Sequence, residues 1–360
     1  MEKFNRFANR SLVRPGVFIL LVFALTAAGG CATKIKVNML QPAQYHDASL
    51  TRTVAVLPFD GPGGADIASE FEGVLGSILI DGKPYFSLVD RAQINKTMNE
   101  MKLSQSGLVN QSTAARIGKM VGTQGIYTGM VTLSGISDSS FRERRQQCAQ
   151  HQIKYDNKGN AYEGACLRWR PYDVSCTKRV ASFACSPKLI EVSTGKIIYA
   201  QNLSGSADSS GCEDRLPVKG EAELLQKAKE IAKKEFRKNV APFYVTREIA
   251  LMDSTDGISS SEAKDKLKNG MDYAAKQRMD SACELWEEAN NLSPNAPSLL
   301  YNLGVCAESR GDLDAALNLY RRTDKLIGKP DDNVSLALNR VTEAIKNRKK
   351  LAEELKAPGM

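Results

Sequence analysis

Apolar positions between residues 52 and 133 change period along the chain. The run Val54-Ala55-Val56-Leu57-Pro58-Phe59 is continuous and closes on the turn Asp60-Gly61-Pro62-Gly63-Gly64, which predicts a strand of a buried sheet. Ile67, Phe71, Val74 and Ile78 then recur at helical spacing. Tyr85 to Arg91 reads as a second short strand, and Ile94, Met98 and Met101 make a second helical stripe. Residues 113–121 predict a third helix and residues 125–133 a third strand. Strand, helix, strand, helix, helix, strand is the order of an α/β layer around a buried sheet.

The second half is helical in pattern. Residues 221–238 place Leu224, Leu225, Ala228, Ile231, Ala232 and Phe236 on one face and lysines and glutamates on the other, which predicts a helix packed on the sheet. Residues 243–251 read as a late edge strand, and residues 253–262, rich in Ser, Asp and Gly, as a linker. Beyond them Gly270 and Gly304 stand 34 residues apart, as do Ala282 and Ala316, and Trp286 and Tyr320. Small residues at helix crossings and a large ring between helices, repeated at this period, predict stacked helical hairpins over 263–356, with 336–355 as a cap. Such repeats dock protein partners; packing or dimerisation is the competing use.

The stretches VAVLPF, FSLVDRAQINKTMNEMKLSQSG and TAARIGKMVGTQGIYTGMVT resemble the curli assembly/transport (CsgG-type) family of bacterial envelope lipoproteins. Residues 188–205, KLIEVSTGKIIYAQNLSG, resemble that family's closing hairpin. Penicillin-binding-protein activator lipoproteins share the same core pattern. The likeness covers about 52–133 and 184–238, and residues 263–356 resemble tetratricopeptide repeats. It implies a CsgG-like mixed sheet with flanking helices over 52–252 and an all-α repeat domain after it. The family carries no catalytic signature, so none is carried over.

The family's channel members build membrane-spanning strands at the places of two segments here. Spanning strands alternate apolar and polar residues over about ten positions. The first segment, 135–179, instead carries Arg142, Glu143, Arg144 and Arg145 in a row, and the second, 204–219, is rich in Ser, Gly and Asp. Asp156-Asn157-Lys158-Gly159-Asn160, between Ile153 and Tyr155 on one side and Tyr162 on the other, reads as a hairpin turn. A soluble, disulfide-pinned lobe is expected rather than a pore.

The N-terminus changes the compartment. Lys3, Arg6, Arg10 and Arg14 precede the apolar run from Gly16 to Ala28, the pattern of a secretory signal peptide over 1–30. Ala28-Gly29-Gly30-Cys31 resembles a lipoprotein cleavage box, so Cys31 is the expected lipidation site and 31–51 a lipidated tether. Ala32 after it points, by the same resemblance, to the outer membrane, with the protein facing the periplasm. An ordinary cleavage site with an incidental Cys31 is the alternative. In an exported chain the remaining cysteines are disulfide candidates: Cys148, Cys166, Cys176, Cys185 and Cys212 in or beside the first segment, and Cys283 and Cys306 in the repeats. Cys148-x-x-His151 lacks a second ligand pair of zinc spacing, and no metal or other cofactor is expected.

The formal charge is +8, of which the leader holds +3. The rest is mild and shows no basic stripe with interleaved aromatics, so no nucleic-acid partner is expected. With two histidines, His46 and His151, a histidine-based catalytic constellation has little to draw on. The expectation is a non-enzymatic, membrane-anchored scaffold or assembly factor, docking an envelope protein through its repeats; a homo-oligomer is compatible with this. The alternative is a ring-forming outer-membrane secretion channel of the curli type.

Overall fold

The computed structural model describes residues 33–101 and 110–356. The expected signal peptide and Cys31 lie outside the described residues. Strand β1 (Lys34–Gln41) and a short helix α1 (His46–Leu50) come first. Then follow β2 (Thr53–Val56), α2 (Gly64–Gly76), the two-residue strands β3 (Leu79–Ile80), β4 (Lys83–Pro84) and β5 (Ser87–Leu88), and helices α3 (Arg91–Glu100) and α4 (Gln111–Val121). Two long strands, β6 (Gly125–Tyr155) and β7 (Ala161–Glu191), lead to β8 (Ile197–Ala200), β9 (Leu203–Cys212) and helix α5 (Glu221–Val240). Strand β10 (Phe243–Ala250) enters five helices: α6 (Ser261–Ala275), α7 (Met279–Leu292), α8 (Pro297–Ser309), α9 (Leu313–Ile327) and α10 (Asp332–Leu355). The chain is mixed α/β.

The main sheet runs β5-β2-β6-β7-β8, with β9 pairing β7 as well. β2 lies parallel to β5 and β6, whereas β7 is antiparallel to β6, β8 and β9. Both faces are covered. Val54, Val56, Tyr127 and Leu189 meet Phe71 of α2 and Phe236 of α5 in one core, while Ala55, Leu57, Ile126 and Ile190 meet Ile94 of α3 and Ile117 of α4 in another. This is why the β2 sequence is apolar without alternation. The Phe71 and Phe236 rings lie 4.5 Å apart, and Tyr127 stands edge-on to Phe236 at 5.4 Å. Helix α5 crosses β9 so closely that a Cβ on Gly205 would fall 2.1 Å from the Ala228 carbonyl oxygen.

Several expectations are corrected. The tether expected over 31–51 contains β1 and α1. In β1 the residues alternate, Ile35 and Val37 buried and Lys34 and Lys36 exposed, and the strand pairs antiparallel with β10 over its whole length, from Lys34–Ala250 to Gln41–Phe243. β10 is therefore not an edge of the main sheet. It forms a two-stranded ribbon with β1, and Ile35, Val37 and Ile249 join the core of the helical hairpins. The segment 135–179 is not a separate lobe: it prolongs β6 and β7, which stay paired from Gly125–Glu191 out to Tyr155–Ala161. At about 3.3 Å per residue such strands run roughly 100 Å. Within the expected second insertion, 204–219, lies most of β9, registered on β7 from Cys185–Leu203 to Cys176–Cys212.

The helical hairpins share one packing device. A Cβ on Gly270 would lie 2.3 Å from Trp286 Nε1, and one on Gly304 would lie 2.6 Å from Tyr320 Cε1. Ala282 and Ala316 are fully buried beside these rings. Each glycine lets a ring approach the neighbouring helix closely, and the Trp286 indole N–H donates to the Leu267 carbonyl at 3.2 Å. Gly304→Val should therefore lower stability by about 1–3 kcal/mol through overpacking. Gly304→Ala should cost less, because alanine recovers about 1 kcal/mol of helix propensity. Chemical denaturation of both variants measures the order, and equal midpoints for wild type and Gly304→Val would refute the packing account.

Candidate functional site

Three places combine charge, burial or exposure in ways the fold alone does not require. The first is α8. Its residues from Ser298 to Glu308 are all buried, although such a helix is where a repeat would offer a docking face. The occupant is the chain itself. Asn302, completely buried, clamps Met252: its Oδ1 accepts from the Met252 N–H at 3.0 Å and its Nδ2 donates to the Met252 carbonyl at 2.8 Å. Tyr301 Oη donates to the Ala250 carbonyl at 3.1 Å and Ser298 Oγ to the Ser254 carbonyl at 2.6 Å. Residues 250–254 are thus held along α8 by hydrogen bonds with Asn302, Tyr301 and Ser298, buried polar groups finding partners. Asn302 was visible only as one polar residue inside the apolar run LLYNLGVC.

The same helices carry a buried ion pair. Arg340 of α10 meets Glu308 of α8 through two bonds, Nε–Oε1 at 2.5 Å and Nη2–Oε2 at 2.7 Å, and Tyr320 Oη donates to Glu308 Oε2 at 2.7 Å. Burial raises the Tyr320 phenol further, with the Glu308 carboxylate acting in the same direction. Removing one partner of such a pair leaves a charge uncompensated in the interior.

The second place is where the end of α10 meets the base of the sheet. His46 Nδ1 lies 2.8 Å from Glu354 Oε1, and Nε2 lies 2.9 Å from Glu353 Oε2. A charged imidazole can donate from both ring nitrogens, one to each of these carboxyl groups. Glu354 is fully buried; its Oε2 also accepts from the Ala43 N–H at 2.8 Å. Its backbone carbonyl accepts from the Arg52 guanidinium and from Tyr85 Oη. Arg52 stacks 3.6 Å above the Tyr85 ring, and burial pushes the Tyr85 phenol up to about 12. Burial works against the His46 charge, but the bonds to Glu354 and Glu353 outweigh it and raise its pKa above the ordinary 6.5.

The third place is the outer half of the β6–β7 ribbon. Outward of Val131 on β6 and of Val174 on β7 no side chain is buried. Cys148–Cys166 bridges the two strands and Cys176–Cys212 ties β7 to β9. Arg145 bonds Glu143 at 2.7 Å and Asp214 at 2.6 Å, and Tyr172 Oη donates to Asp214 Oδ2 at 2.6 Å. The expected turn is closed by Asp156, whose carboxylate accepts from the Lys158 and Asn160 amides at 2.8 Å each. Cys283–Cys306 joins α7 to α8. Cys185 is free and buried, and burial pushes its thiol up to about 12, away from reactive thiolate. With Cys148 in a disulfide, the Cys148-x-x-His151 pair offers no thiolate to a metal; Glu143, Cys176 and Cys212 cluster, but both sulfurs there are bridged.

No protein-family model matches the chain, and no curated protein matches it. Among solved structures, the LpoB C-terminal domain from Salmonella enterica is 16% identical, covering 45% of this chain and 94% of that one, with a TM-score of 0.25. Lipoprotein GNA1162 from Neisseria meningitidis is 11% identical, covering 46% and 86%, at 0.24. The PelC dodecamer from Paraburkholderia phytofirmans is 11% identical, covering 58% and 98%, also at 0.24. Likenesses at this level carry no activity, partner or assembly over to this chain.

Because the His46 pKa is raised on folding, its contribution is complete below about 6.5 and is lost as pH rises through the raised value. The stability difference between wild type and His46→Gln should shrink over that rise, read from denaturation midpoints at a series of pH values. The test is clean because His151 is the only other histidine; a difference that stays constant with pH would refute the charged clasp. Asn302→Ala, which strands the Met252 amide and carbonyl, should cost about 1–3 kcal/mol; hydrogen exchange at Met252 no faster than in wild type would contradict the clamp.

Proposed function

We propose that this chain is an exported, lipid-anchored envelope scaffold without catalytic chemistry, and that its working surface is the projecting ribbon. The observation that carries this reading is the outer half of β6 and β7: a long ribbon, stapled across by Cys148–Cys166, with no buried side chain outward of Val131 and Val174. Ordering so many residues without a core costs conformational entropy, a cost that keeping a recognition surface preformed accounts for. The helical hairpins, which we assign to the tetratricopeptide kind from their period and glycine–ring contacts, act here as a brace. Their α8 face holds residues 250–254 through Asn302, so docking of a partner on that face, the first expectation from sequence, gives way to docking on the ribbon. The α/β base is assigned to the CsgG-like pattern on its order of elements.

No helix among the described residues is long and apolar enough to cross a membrane. The anchor in this proposal is an acylated Cys31. The backbone is already bonded at Thr33, whose carbonyl accepts from the Leu251 N–H at 2.9 Å, so acyl chains on Cys31 would hold the folded body directly against the bilayer. The channel alternative finds no support in the ribbon: Arg142, Glu143 and Arg144 are exposed on alternate faces, and a cationic residue facing lipid at mid-membrane costs about 2–4 kcal/mol.

Cys31→Ser should move the protein from the membrane fraction to the soluble periplasmic fraction, or stall its processing. Unchanged fractionation together with an unchanged N-terminal peptide mass would refute the anchor. Photo-crosslinkers placed at Gln147 and Arg170 should capture envelope proteins in intact cells, whereas the same group on α9 at Arg321 should not; the reverse pattern would return the docking role to the helices.

A further inference from the structure

The ribbon exposes its largest apolar side chains close to its tip. Ile153 is 57% exposed, Tyr155 70%, Tyr162 51%, Leu167 62% and Trp169 59%, and none belongs to a hydrophobic cluster of the fold. Among them stand Lys154, Lys158, Arg168 and Arg170 against Asp156 and Glu163, a net of +2 that His151 increases when protonated. Aromatic rings interleaved with lysine and arginine suit a layer that is apolar beneath and anionic above, where each ring keeps its polar edge in water and each long basic stem lies along apolar surface.

The backbone of this region is guarded against the other use of an exposed ribbon, edge pairing with a second chain. Register shifts fall between Cys148 and Gln150, between Gln150 and His151, and between His151 and Ile153. Pro171 removes a donor from β7, and charged residues crowd β6 from Arg142 to Arg145. Bulges, proline and charge are the features that keep edges from pairing, which leaves recognition to the side chains. From Tyr155 at the turn to Cys148, which pairs with Trp169, the apolar group runs along the ribbon for roughly 23 Å at about 3.3 Å per residue, a length suited to lying along an interface.

We propose that the tip of the β6–β7 ribbon is a second membrane contact: an interfacial site, formed by Trp169, Leu167, Ile153 and Tyr155 with Lys154 and Arg170, that binds the surface of an anionic phospholipid bilayer. This rests on the reading of the ribbon as the working surface. The Cys148–Cys166 bridge joins the two strands within the site, with Ile153 and Tyr155 on its turn side and Leu167 and Trp169 on its base side, so the site is preformed and loses little freedom on binding.

The chain has two tryptophans, and the other, Trp286, is completely buried. A change of tryptophan emission on mixing with vesicles therefore reports Trp169. The processed chain from residue 31, carrying Cys31→Ser so that no acyl group contributes, is mixed with vesicles of equal parts phosphatidylglycerol and phosphatidylcholine. Co-sedimentation with a blue shift of emission is expected, weakening as salt rises. Lys154→Glu with Arg170→Glu should weaken binding by at least about tenfold, and Ile153→Ser with Leu167→Ser should abolish the blue shift. A circular dichroism spectrum unchanged from wild type and the mass of the Cys148–Cys166 peptide show that each variant is folded. No binding, equal binding to pure phosphatidylcholine, or full competition by soluble polyglutamate would each overturn the lipid site. Crosslinking to protein partners from Gln147 reads the scaffold role separately, so loss of vesicle binding with crosslinks retained overturns this site alone.

Discussion

The pairing of β1 with β10 joins parts of the chain some two hundred residues apart, and the rest of the arrangement leans on it. Eight residue pairs zip the first described strand to the strand that enters the helices. Ile35, Val37 and Ile249 then become part of the core that holds Leu299, Leu303 and Trp286. Without this ribbon α8 would show an apolar face and a buried-type asparagine to water. With it, the helices have an inner support and residues 250–254 have backbone partners. The end of α10 returns to the base of the sheet, where His46, Arg52 and Tyr85 receive it. The helical hairpins are thus held at both ends of their run, by β10 at the entrance and by α1 and Arg52 at the exit.

What was legible in the sequence follows from how local each signal is. The α/β layer shows because β2 is buried on both faces and α2 to α4 carry apolar stripes, patterns that need no distant partner. The turn at Asp156 to Asn160 shows because the acid bonds amides two and four residues on. The glycines at 270 and 304 are visible as a spacing, and the structure places a ring over each. β1 was missed although KIKVNML alternates, because its partner is remote and its lysines resemble a solvated tether. The outer ribbon was read as a lobe because it has no buried face: its strands are carried by the backbone ladder, and hydrophobic periodicity is silent there.

The candidate sites were less legible than the fold. Asn302, Glu308 and Glu354 sit on helices where a polar residue ordinarily marks the solvent face, yet each is buried because another element arrives to meet it. Arg52, which the sequence marks only as the start of the 52–133 stretch, is an anchor for the α10 terminus. Charge at such points is acceptable only when every donor and acceptor is met, so they fix one relative placement of elements more sharply than apolar packing does. For the cysteines, the sequence left the pairings open; strand register brings Cys176 opposite Cys212.

The contact between β1 and β10 has a consequence for the order in which the molecule can be assembled. A chain made from its N-terminus exposes residues 34–41 first, yet their partner strand is finished only with residue 250, and their apolar cover only when α8 follows. The sheet between them can close earlier, since its strands lie within one stretch. The opening strand therefore finds its place only after the sheet, and it waits, unpaired and half apolar, until β10 and α8 are made. A strand in that condition is a target for wrong partners. Its two lysines, Lys34 and Lys36, alternate with the apolar residues and keep it soluble while it waits.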